Sequence, residues 1–183
     1  MQLNKYTVGD YSPGAGLWKQ ILWYYVGSPF VSSYFVIGSG IKCWVLTCFG
    51  AKIGKGVRIK QGVKIKFPWR LAIGDFVWIG ENSWIDNVAM VTIDSNSCIS
   101  QGVYLCTGNH DWSTKDFKLK DAEIYIEEGS WIAAQAIVGP GVKVGKGAIL
   151  CLGSVALHSL ESMKIHAGNP AVIIKERIIK SNL

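Results

Sequence analysis

The chain has 183 residues, of which 49% are hydrophobic and 17% are charged, with 21 glycines and five prolines. This length suits one domain with a sizeable core, and the composition excludes a wholly disordered chain. Lysine and arginine outnumber aspartate and glutamate by 19 to 13, which gives a formal charge of +6. The basic residues are scattered along the chain, and a phosphorylated cofactor needs only a few of them, so the excess does not require a nucleic-acid partner.

The N-terminus and the cysteines point to a reducing compartment. Residues 1–11 contain Lys5 and Asp10 but no apolar run that leads to a cleavage site, so we expect no secretory signal. The cysteines are odd in number and form no CxxC pair, which favours free thiols over a disulfide framework. They are Cys43, Cys48, Cys98, Cys106 and Cys151. The sequence therefore predicts a cytoplasmic protein.

Residues 17–49 form a strongly apolar and aromatic segment. Its first part has one apolar helical face, formed by Trp18, Ile21, Leu22 and Tyr25, and Gly27-Ser28-Pro29 is expected to end that helix. The second part, residues 30–49, is interrupted by Gly38-Ser39-Gly40, whereas a membrane span needs about 20 unbroken apolar residues. We expect residues 1–50 to form a helical cap over the repeat region. Peripheral attachment to a membrane surface, at the inner face, is the second interpretation, and a true span is the third.

From Ile53 onward, aliphatic residues recur at every sixth position. The positions are Ile53, Ile59, Ile65, Ile73, Ile79, Ile85, Ile93, Ile99, Leu105, Ile126, Ile132, Val138, Val144, Leu150 and Ala156. Small or β-branched residues usually follow four positions later, as at Val57, Val63, Ser83, Ala136 and Ser154. A period of six fits no helix, but it keeps both marked positions on one face of short strands. The pattern predicts a β-solenoid, in which each coil stacks on its neighbours.

With three strands in each coil, residues 51–160 give about five coils, a prism about 24 Å tall. Glycine follows many of the repeat positions, for example Gly54 and Gly80, where we expect the corner to need unusual backbone angles. The step from Leu105 to Ile126 is 21 residues, fifteen more than the repeat needs. This excursion, residues 106–125, is where function is expected, because long loops on rigid scaffolds usually carry it.

Residues 161–183 are predicted to form a C-terminal tail and helix. Asn169-Pro170 has the composition of a helix start, with the asparagine as cap and the proline in the first turn. Lys175 and Arg177 would lie on this helix, near the last coil.

Four features together resemble the hexapeptide-repeat acyltransferases. They are the repeat itself, the loop Cys106-Thr-Gly-Asn-His-Asp, the block Gly129-Ser-Trp-Ile-Ala-Ala and the terminus Ala167-Gly-Asn-Pro-Ala. Within that family the chain is most similar to the colanic acid biosynthesis acetyltransferases, and more distantly to maltose, galactoside and nodulation O-acetyltransferases. The resemblance implies an all-β fold, a left-handed parallel β-helix. It also implies acetyl-CoA as cosubstrate, no metal, and a homotrimer with active sites between subunits.

The resemblance makes His110 the general base that takes the proton of an acceptor hydroxyl. The unperturbed pKa of histidine, about 6.5, suits that role. Asp111 would either orient the imidazole or be a solvated loop acid. Asn109 would either close the turn with its own side chain or contact the acceptor.

Further positions match the family's binding residues. The backbone N–H of Ala134 would face the thioester oxygen, and Trp131 would either line the cleft or pack outside a coil. Coenzyme A would run beside Leu152 and Gly153, and Lys175 would contact one of its phosphates, with Arg177 as the second candidate for that contact. The acceptor would contact Asp86, Asn87, Asn109 and Asp111.

The resulting expectation is an O-acetyltransferase that acts on a sugar or glycan precursor in surface-polysaccharide synthesis. Acetylation of a drug or of an amino sugar is the alternative within the family. Outside it stand a non-catalytic trimeric scaffold and a γ-carbonic-anhydrase-like protein, which would need His110, His158 and His166 to converge on zinc. A covalent route through Cys106 is a minor hypothesis.

Overall fold

Residues 51–160 wind into a parallel β-solenoid with three sheets, in a computed structural model that describes residues 1–180. The first sheet contains β1 (Lys52–Ile53), β4 (Leu71–Ile73), β7 (Val91–Ile93), β12 (Ile124–Ile126) and β15 (Lys143–Val144). The second contains β2 (Arg58–Ile59), β5 (Trp78–Ile79), β8 (Cys98–Ile99), β13 (Trp131–Ile132), β16 (Ile149–Leu150), β18 (Lys164–Gly168) and β19 (Ala171–Glu176). The third contains β3 (Lys64–Ile65), β6 (Trp84–Asp86), β9 (Tyr104–Cys106), β14 (Ile137–Val138) and β17 (Val155–Ala156). A separate hairpin joins β10 (Gly108–His110) to β11 (Leu119–Asp121).

The strands of each sheet stack in register, so the repeat positions of successive coils lie directly above one another. Ile132, for example, aligns with Ile99 in the coil before it and with Leu150 in the coil after it. All fifteen repeat positions point inward, and only Ile53, in the first coil, is more than marginally exposed. The small residues four positions later are buried as well. The predicted solenoid core is confirmed.

The corners use glycine for two different reasons, and one of them departs from the expectation. Positive φ angles occur three residues after the repeat position, as at Gly102 and Gly153, not directly after it. A glycine directly after the position is needed because backbones approach closely there. A Cβ on Gly80 would lie 2.4 Å from the amide nitrogen of Gln101 in the next coil. The expectation of unusual backbone angles at Gly54 and Gly80 is therefore wrong. These two positions need glycine because a Cβ would collide with the next coil.

The N-terminal segment contains three α-helices, α1 (Leu17–Leu22), α2 (Ser28–Ser32) and α3 (Ser39–Cys48). A π-helical turn, Trp23–Gly27, joins α1 to α2, so the predicted helix end at Gly27-Ser28-Pro29 is wrong. Pro29 lies in the first turn of α2, where its missing N–H leaves no hydrogen bond unmade. Gly27 is present because Trp23 packs on it: a Cβ there would lie 2.3 Å from the indole.

These helices cover the open end of the first coil, as the helical-cap interpretation expects. Leu46 and Val31 are buried in the solenoid core, and the indole of Trp23 donates to the carbonyl oxygen of Ile65 at 3.2 Å. Lys42 is also buried, and its ammonium group donates to the carbonyl oxygen of Lys60 at 2.9 Å. Within residues 1–180, none of the helices combines the length and the hydropathy that a membrane crossing requires.

The C-terminal region is a β-hairpin, so the predicted helix after Asn169-Pro170 is wrong for the described residues. β18 pairs in parallel with β16 and so adds part of a sixth coil, and β19 then runs antiparallel to β18. The run of β-branched residues in Ala171–Glu176 suits a strand, and the exposed edge of β18 provides the partner that overrides the helix-start signal. Residues 181–183 of the predicted segment lie outside the described residues.

Candidate active site

The long excursion between β9 and β12 is built as the β10–β11 hairpin. Gly108 pairs with Asp121 and His110 pairs with Leu119, so His110 lies at the end of β10, next to the connection to β11. The N-terminal residues lie along it, with the amide of Gln2 donating to the carbonyl oxygen of Lys115 at 2.8 Å. The excursion therefore holds its histidine in a hydrogen-bonded strand rather than in an irregular loop.

Two groups of Phe117, its carbonyl oxygen and its ring, hold the ring of His110 in place. Its Nδ1 atom lies 3.0 Å from the carbonyl oxygen of Phe117, and its ring stacks on the Phe117 ring with centroids 4.3 Å apart and planes 5° apart. The ring of Tyr6 approaches at 5.8 Å. A carbonyl oxygen only accepts hydrogen bonds, so in the neutral imidazole the proton sits on Nδ1. Nε2 then carries the lone pair that a general base needs.

Asp111 does not orient the imidazole. Its carboxylate accepts from the amide of Ser113 at 3.0 Å and from the Ser113 hydroxyl, and it forms an ion pair with Lys120 at 2.8 Å. The hydrogen bonds from Lys120 and Ser113 lower the pKa of Asp111 to about 2. Of the two alternatives for Asp111, the structure therefore does not contain the orienting one, and the group that faces Nδ1 is the carbonyl group of Phe117.

Asn109 is exposed, and its side-chain oxygen accepts from the backbone N–H of His110 at 2.8 Å. This bond joins two neighbouring residues of β10 rather than the ends of a turn, and contact of Asn109 with the acceptor stays a prediction. The hydrogen bond keeps the backbone before the imidazole in one conformation.

Asp86 and Asn87 lie at the same corner of the prism, between the third and first sheets, but only Asp86 faces outward. Asn87 is fully buried, accepts from the amide of Phe67 at 2.9 Å and donates to the carbonyl oxygens of Phe67 and Arg70 at 2.7 and 2.9 Å. Asp86 forms an ion pair with Lys66 at 2.9 Å. Asn87 therefore supports the corner, while Asp86 stays near its surface.

The phenol of Tyr104 and the thiol of Cys106 lie beside Asp86. The Tyr104 hydroxyl donates to Asp86 at 3.0 Å, and burial, with smaller contributions from Cys106 and Asp86, raises the pKa of Tyr104. The thiol of Cys106 donates to the carbonyl oxygen of Gly108 at 3.3 Å. The proton of this thiol thus faces a carbonyl group rather than a base, which gives the covalent route no support.

The residues that are expected to bind coenzyme A lie on the second sheet and at the corner between the second and third sheets. The amide of Gly153 donates to the carbonyl oxygen of Ala134 at 3.0 Å, so the two corner segments are stacked. Leu152 is 70% exposed and Gly153 has φ +65° with open space beside it. The indole of Trp131 is held on the sheet surface by a hydrogen bond to the Ser100 hydroxyl at 2.8 Å. This edge is open and has the small residues that an extended ligand needs.

Lys175 and Arg177 do not lie on a helix. Lys175 is exposed on β19 opposite Ile165, which is level with Ile149, the first residue of β16. The guanidinium group of Arg177 donates to the carbonyl oxygens of Gly129 and Gly147 at 2.8 and 2.9 Å. Arg177 therefore fixes a corner of the coil, and Lys175 is the freer cation of the two.

Within one chain, His110 and the cofactor positions lie at opposite edges of the third sheet. His110 follows β9 at the corner with the first sheet, whereas Ala134 precedes β14 at the corner with the second. The third sheet separates the two groups. A single protomer therefore brings His110 together with Asp86, Asn109 and Asp111, but not with Ala134, Leu152 or Gly153.

The histidines give no metal centre in the described part of the chain. Between residues 1 and 180, no three His, Cys, Asp or Glu side chains form a group that could hold an ion. His158 is exposed, whereas His166 is buried and its Nε2 accepts from the amide of Glu161 at 3.3 Å. The convergence that a γ-carbonic-anhydrase-like protein needs is not present.

No model of a protein family matches the chain. A relative from Escherichia coli (strain K12), provisionally named the colanic acid biosynthesis acetyltransferase WcaF, is 40% identical over 137 residues, which cover 75% of each chain. The protein belongs to the hexapeptide-repeat acetyltransferases. It is therefore an acyltransferase, and the non-catalytic scaffold is disfavoured.

Solved structures of this kind share the fold. A hexapeptide-repeat acetyltransferase of Vibrio cholerae O1 biovar eltor, solved with acetyl coenzyme A, superimposes with a TM-score of 0.81 at 18% identity, covering 98% of this chain and 100% of the other. A galactoside acetyltransferase in complex with coenzyme A gives 0.79 at 21% identity, covering 87% and 81%. Together with the family membership, this agreement confirms the predicted fold class, a left-handed parallel β-helix.

The sequence predicts His110 as the base of this acetyltransferase but does not indicate the residue that holds its ring. Phe117 supplies both the carbonyl oxygen and the stacked ring, and its φ of +47° turns the chain between β10 and β11. Nothing in the residue type signals such a backbone angle. The excursion's length and its aromatic residues, Trp112, Phe117 and Tyr125, were the available signals, but they did not indicate which group faces the imidazole.

Proposed function

We propose that the protein transfers acetyl from acetyl-CoA directly to a hydroxyl group of a sugar or glycan precursor in surface-polysaccharide synthesis. The hydrogen bond between His110 Nδ1 and the Phe117 carbonyl carries this proposal, because it leaves Nε2 unprotonated and available as a base. The family membership supports acetyl transfer, and the name of the E. coli relative supports a polysaccharide precursor as acceptor.

In the reaction, Nε2 of His110 accepts the proton of the acceptor hydroxyl while the hydroxyl oxygen attacks the thioester carbonyl carbon. The Phe117 carbonyl stabilises the imidazolium that forms, because Nδ1–H remains its donor. The N–H of Ala134 would donate to the oxyanion of the tetrahedral intermediate. When the intermediate collapses, the carbon–sulfur bond breaks and the imidazolium returns the proton to the thiolate of coenzyme A. Atoms and charges balance without a covalent enzyme intermediate.

The separation of the two groups of residues supports a homotrimer with its active sites between subunits. His110 of one protomer would meet Ala134, Trp131, Leu152 and Gly153 of its neighbour, since the third sheet keeps them apart within one chain. Lys175 would be available to a phosphate of coenzyme A. This arrangement aligns donor and acceptor before the chemical step, which lowers the entropic part of the barrier.

The acceptor would bind on the His110 side of the interface. Asp86 and the Asp111–Lys120 pair supply acceptors and a donor for hydroxyl groups near the imidazole. Asn87 and Asn109 would act indirectly, because both side chains are committed to backbone groups. We place the reaction in the cytoplasm, in keeping with the five free cysteines.

The test incubates the protein with labelled acetyl-CoA and a panel of sugars, sugar nucleotides and amino sugars. The release of the coenzyme A thiol and the labelled product are measured. We expect O-acetylated sugar with the wild type and a loss of at least about 100-fold in turnover with His110→Ala. The exposed His158 provides the matched control, and His158→Ala should keep full activity. Normal turnover with His110→Ala would refute the base, and transfer confined to amines would replace O-acetylation by N-acetylation.

A further inference from the structure

The N-terminal helices have two apolar faces, and only one of them contacts the solenoid. In α3, Leu46 is buried while Ile41 and Trp44 are 49% and 66% exposed. The earlier helices repeat this pattern. Their exposed apolar side chains are Leu17, Trp18, Ile21, Leu22, Tyr24, Tyr25 and Val26, and Tyr34, Phe35 and Ile37 follow in the connection to α3. Such an apolar surface exceeds the scattered hydrophobic residues of an ordinary monomer surface and indicates a binding face.

The same part of the chain is free of acidic residues. Between Asp10 and Asp75 the sequence has no aspartate or glutamate, but it has nine of the 19 lysines and arginines. The remainder of the chain has ten cations and all 13 acids, so the +6 total divides into +9 for residues 11–74 and −3 for the rest. The cations are spread along the chain, as the sequence analysis states, but the acids that would balance them are confined to other regions.

The fold arranges these cations around the helices. α3 contacts β1 and β2, and α2 contacts β3, so the helices sit against the first coil. Lys52, Arg58 and Lys64 are exposed on the first, second and third sheets of that coil. They surround the apolar helices on all three sides of the prism. We call the exposed apolar side chains of residues 17–44, together with the exposed cations of residues 52–66, the N-terminal face.

We propose that the N-terminal face binds the surface of a bilayer that contains anionic phospholipids. The exposed Trp and Tyr side chains have the composition of the aromatic belt at a membrane interface, and the surrounding cations complement the negative lipid headgroups. A segment that binds in this way lies in the interface and does not cross the bilayer, in agreement with the short helices.

The charge also favours a bilayer over a second copy of this chain. Two copies that met through this face would bring two segments of +9 together, and like charges in an interface oppose association. An anionic bilayer instead gains from each cation near its surface.

A recess beside the helices fits a phospholipid as well. A cavity of about 490 Å³ lies between α1, the π-helical turn and the third sheet, and its lining is mostly apolar. Tyr24, Tyr25 and Trp84 line it, and Lys64 and Lys66 lie at the same cavity. Aromatic walls suit an acyl chain, and the ammonium group of Lys64 suits a lipid phosphate, whereas that of Lys66 is paired with Asp86.

The experiment is co-sedimentation of the full chain with vesicles of phosphatidylcholine alone and with vesicles that contain about one third phosphatidylglycerol. We expect binding to the anionic vesicles that weakens at high salt. Lys52, Lys55 and Lys64, all changed to Gln, should weaken it about 100-fold, because each cation near the surface is worth about fivefold. The matched control changes Lys143, Lys146 and Lys180 to Gln, which removes the same charge elsewhere and should leave the binding nearly unchanged.

A second variant tests the apolar part of the face. Trp18, Tyr25 and Trp44, all changed to Ser, should abolish binding while circular dichroism and thiol release with a soluble acceptor stay unchanged, since these side chains are exposed. Absence of wild-type binding to anionic vesicles would overturn the proposal. So would equal losses in the two lysine variants. If the serine variant instead lowers the oligomeric state with no effect on lipid binding, a second copy covers this face and the proposal is wrong.

Discussion

The Nδ1 atom of His110 lies 3.0 Å from the carbonyl oxygen of Phe117, and the two rings are stacked. This relationship determines which imidazole nitrogen carries the proton, because the carbonyl group accepts and cannot donate. In the proposed mechanism, a backbone group thus takes the place of the carboxylate that orients histidine in many hydrolytic enzymes.

Asp111→Asn should keep the turnover within a few-fold of the wild type. The carboxylate contacts Ser113 and Lys120 and not the imidazole, and its pKa of about 2 keeps it ionised throughout the working pH range. The measurement is kcat and KM for the acceptor, with a pH profile. A rise in KM alone would fit contact with the acceptor. A fall in kcat of about 10⁴-fold would mean that Asp111 orients the base after all.

Asn87→Ala should destabilise the protein by about 3 kcal/mol, because it leaves buried backbone groups of Phe67 and Arg70 without partners. Asn87→Asp should also be destabilising, since a carboxylate cannot donate to the two carbonyl oxygens. Urea unfolding measures both variants. The exposed Asn109→Ala serves as control, with an expected change of about 1 kcal/mol or less. Equal stability of Asn87→Ala and the wild type would return Asn87 to the list of candidate acceptor contacts.

The stability of the protein should fall in acid partly through His166. Burial lowers the pKa of His166 below its ordinary value, so the unfolded chain binds a proton more readily than the folded one. The stability that His166 contributes is therefore fully present above about pH 6.5 and declines as the pH falls below that value. The decline ends once the pH is below the lowered pKa of His166 in the folded protein. The difference in unfolding free energy between the wild type and His166→Gln should change over this range. A difference independent of pH would contradict the shift.

Gly80→Ala should destabilise the coil, because the new Cβ would lie 2.4 Å from the backbone nitrogen of Gln101, which cannot move away without breaking the stack. The control is Gly40→Ala in α3, where no atom lies within 4 Å of the new methyl group and alanine favours the helix by up to about 1 kcal/mol. Thermal unfolding should move the two variants in opposite directions. A tolerated Gly80→Ala would show that the corners have more room than the register implies.

The spacing of the residues was sufficient to predict the solenoid and to locate the one long excursion that carries His110. A buried aliphatic residue at every sixth position leaves only a coil in which the inward face repeats, and the fifteen-residue excess of the excursion separated the histidine from the repeat. These features depend on local alternation and on loop length, which are visible along a chain.

The tertiary structure alone decided what faces the imidazole, what happens after Asn169, and how charge and apolar surface combine at the N-terminal face. The Phe117 carbonyl is a backbone group that any residue could supply, so its position depends on the hairpin and not on the side chain. The helix-start signal at Asn169-Pro170 is local, and the unpaired edge of β18 outweighed it. Backbone pairing and packing set these outcomes rather than the residue types alone, because tertiary structure routinely overrides local propensity.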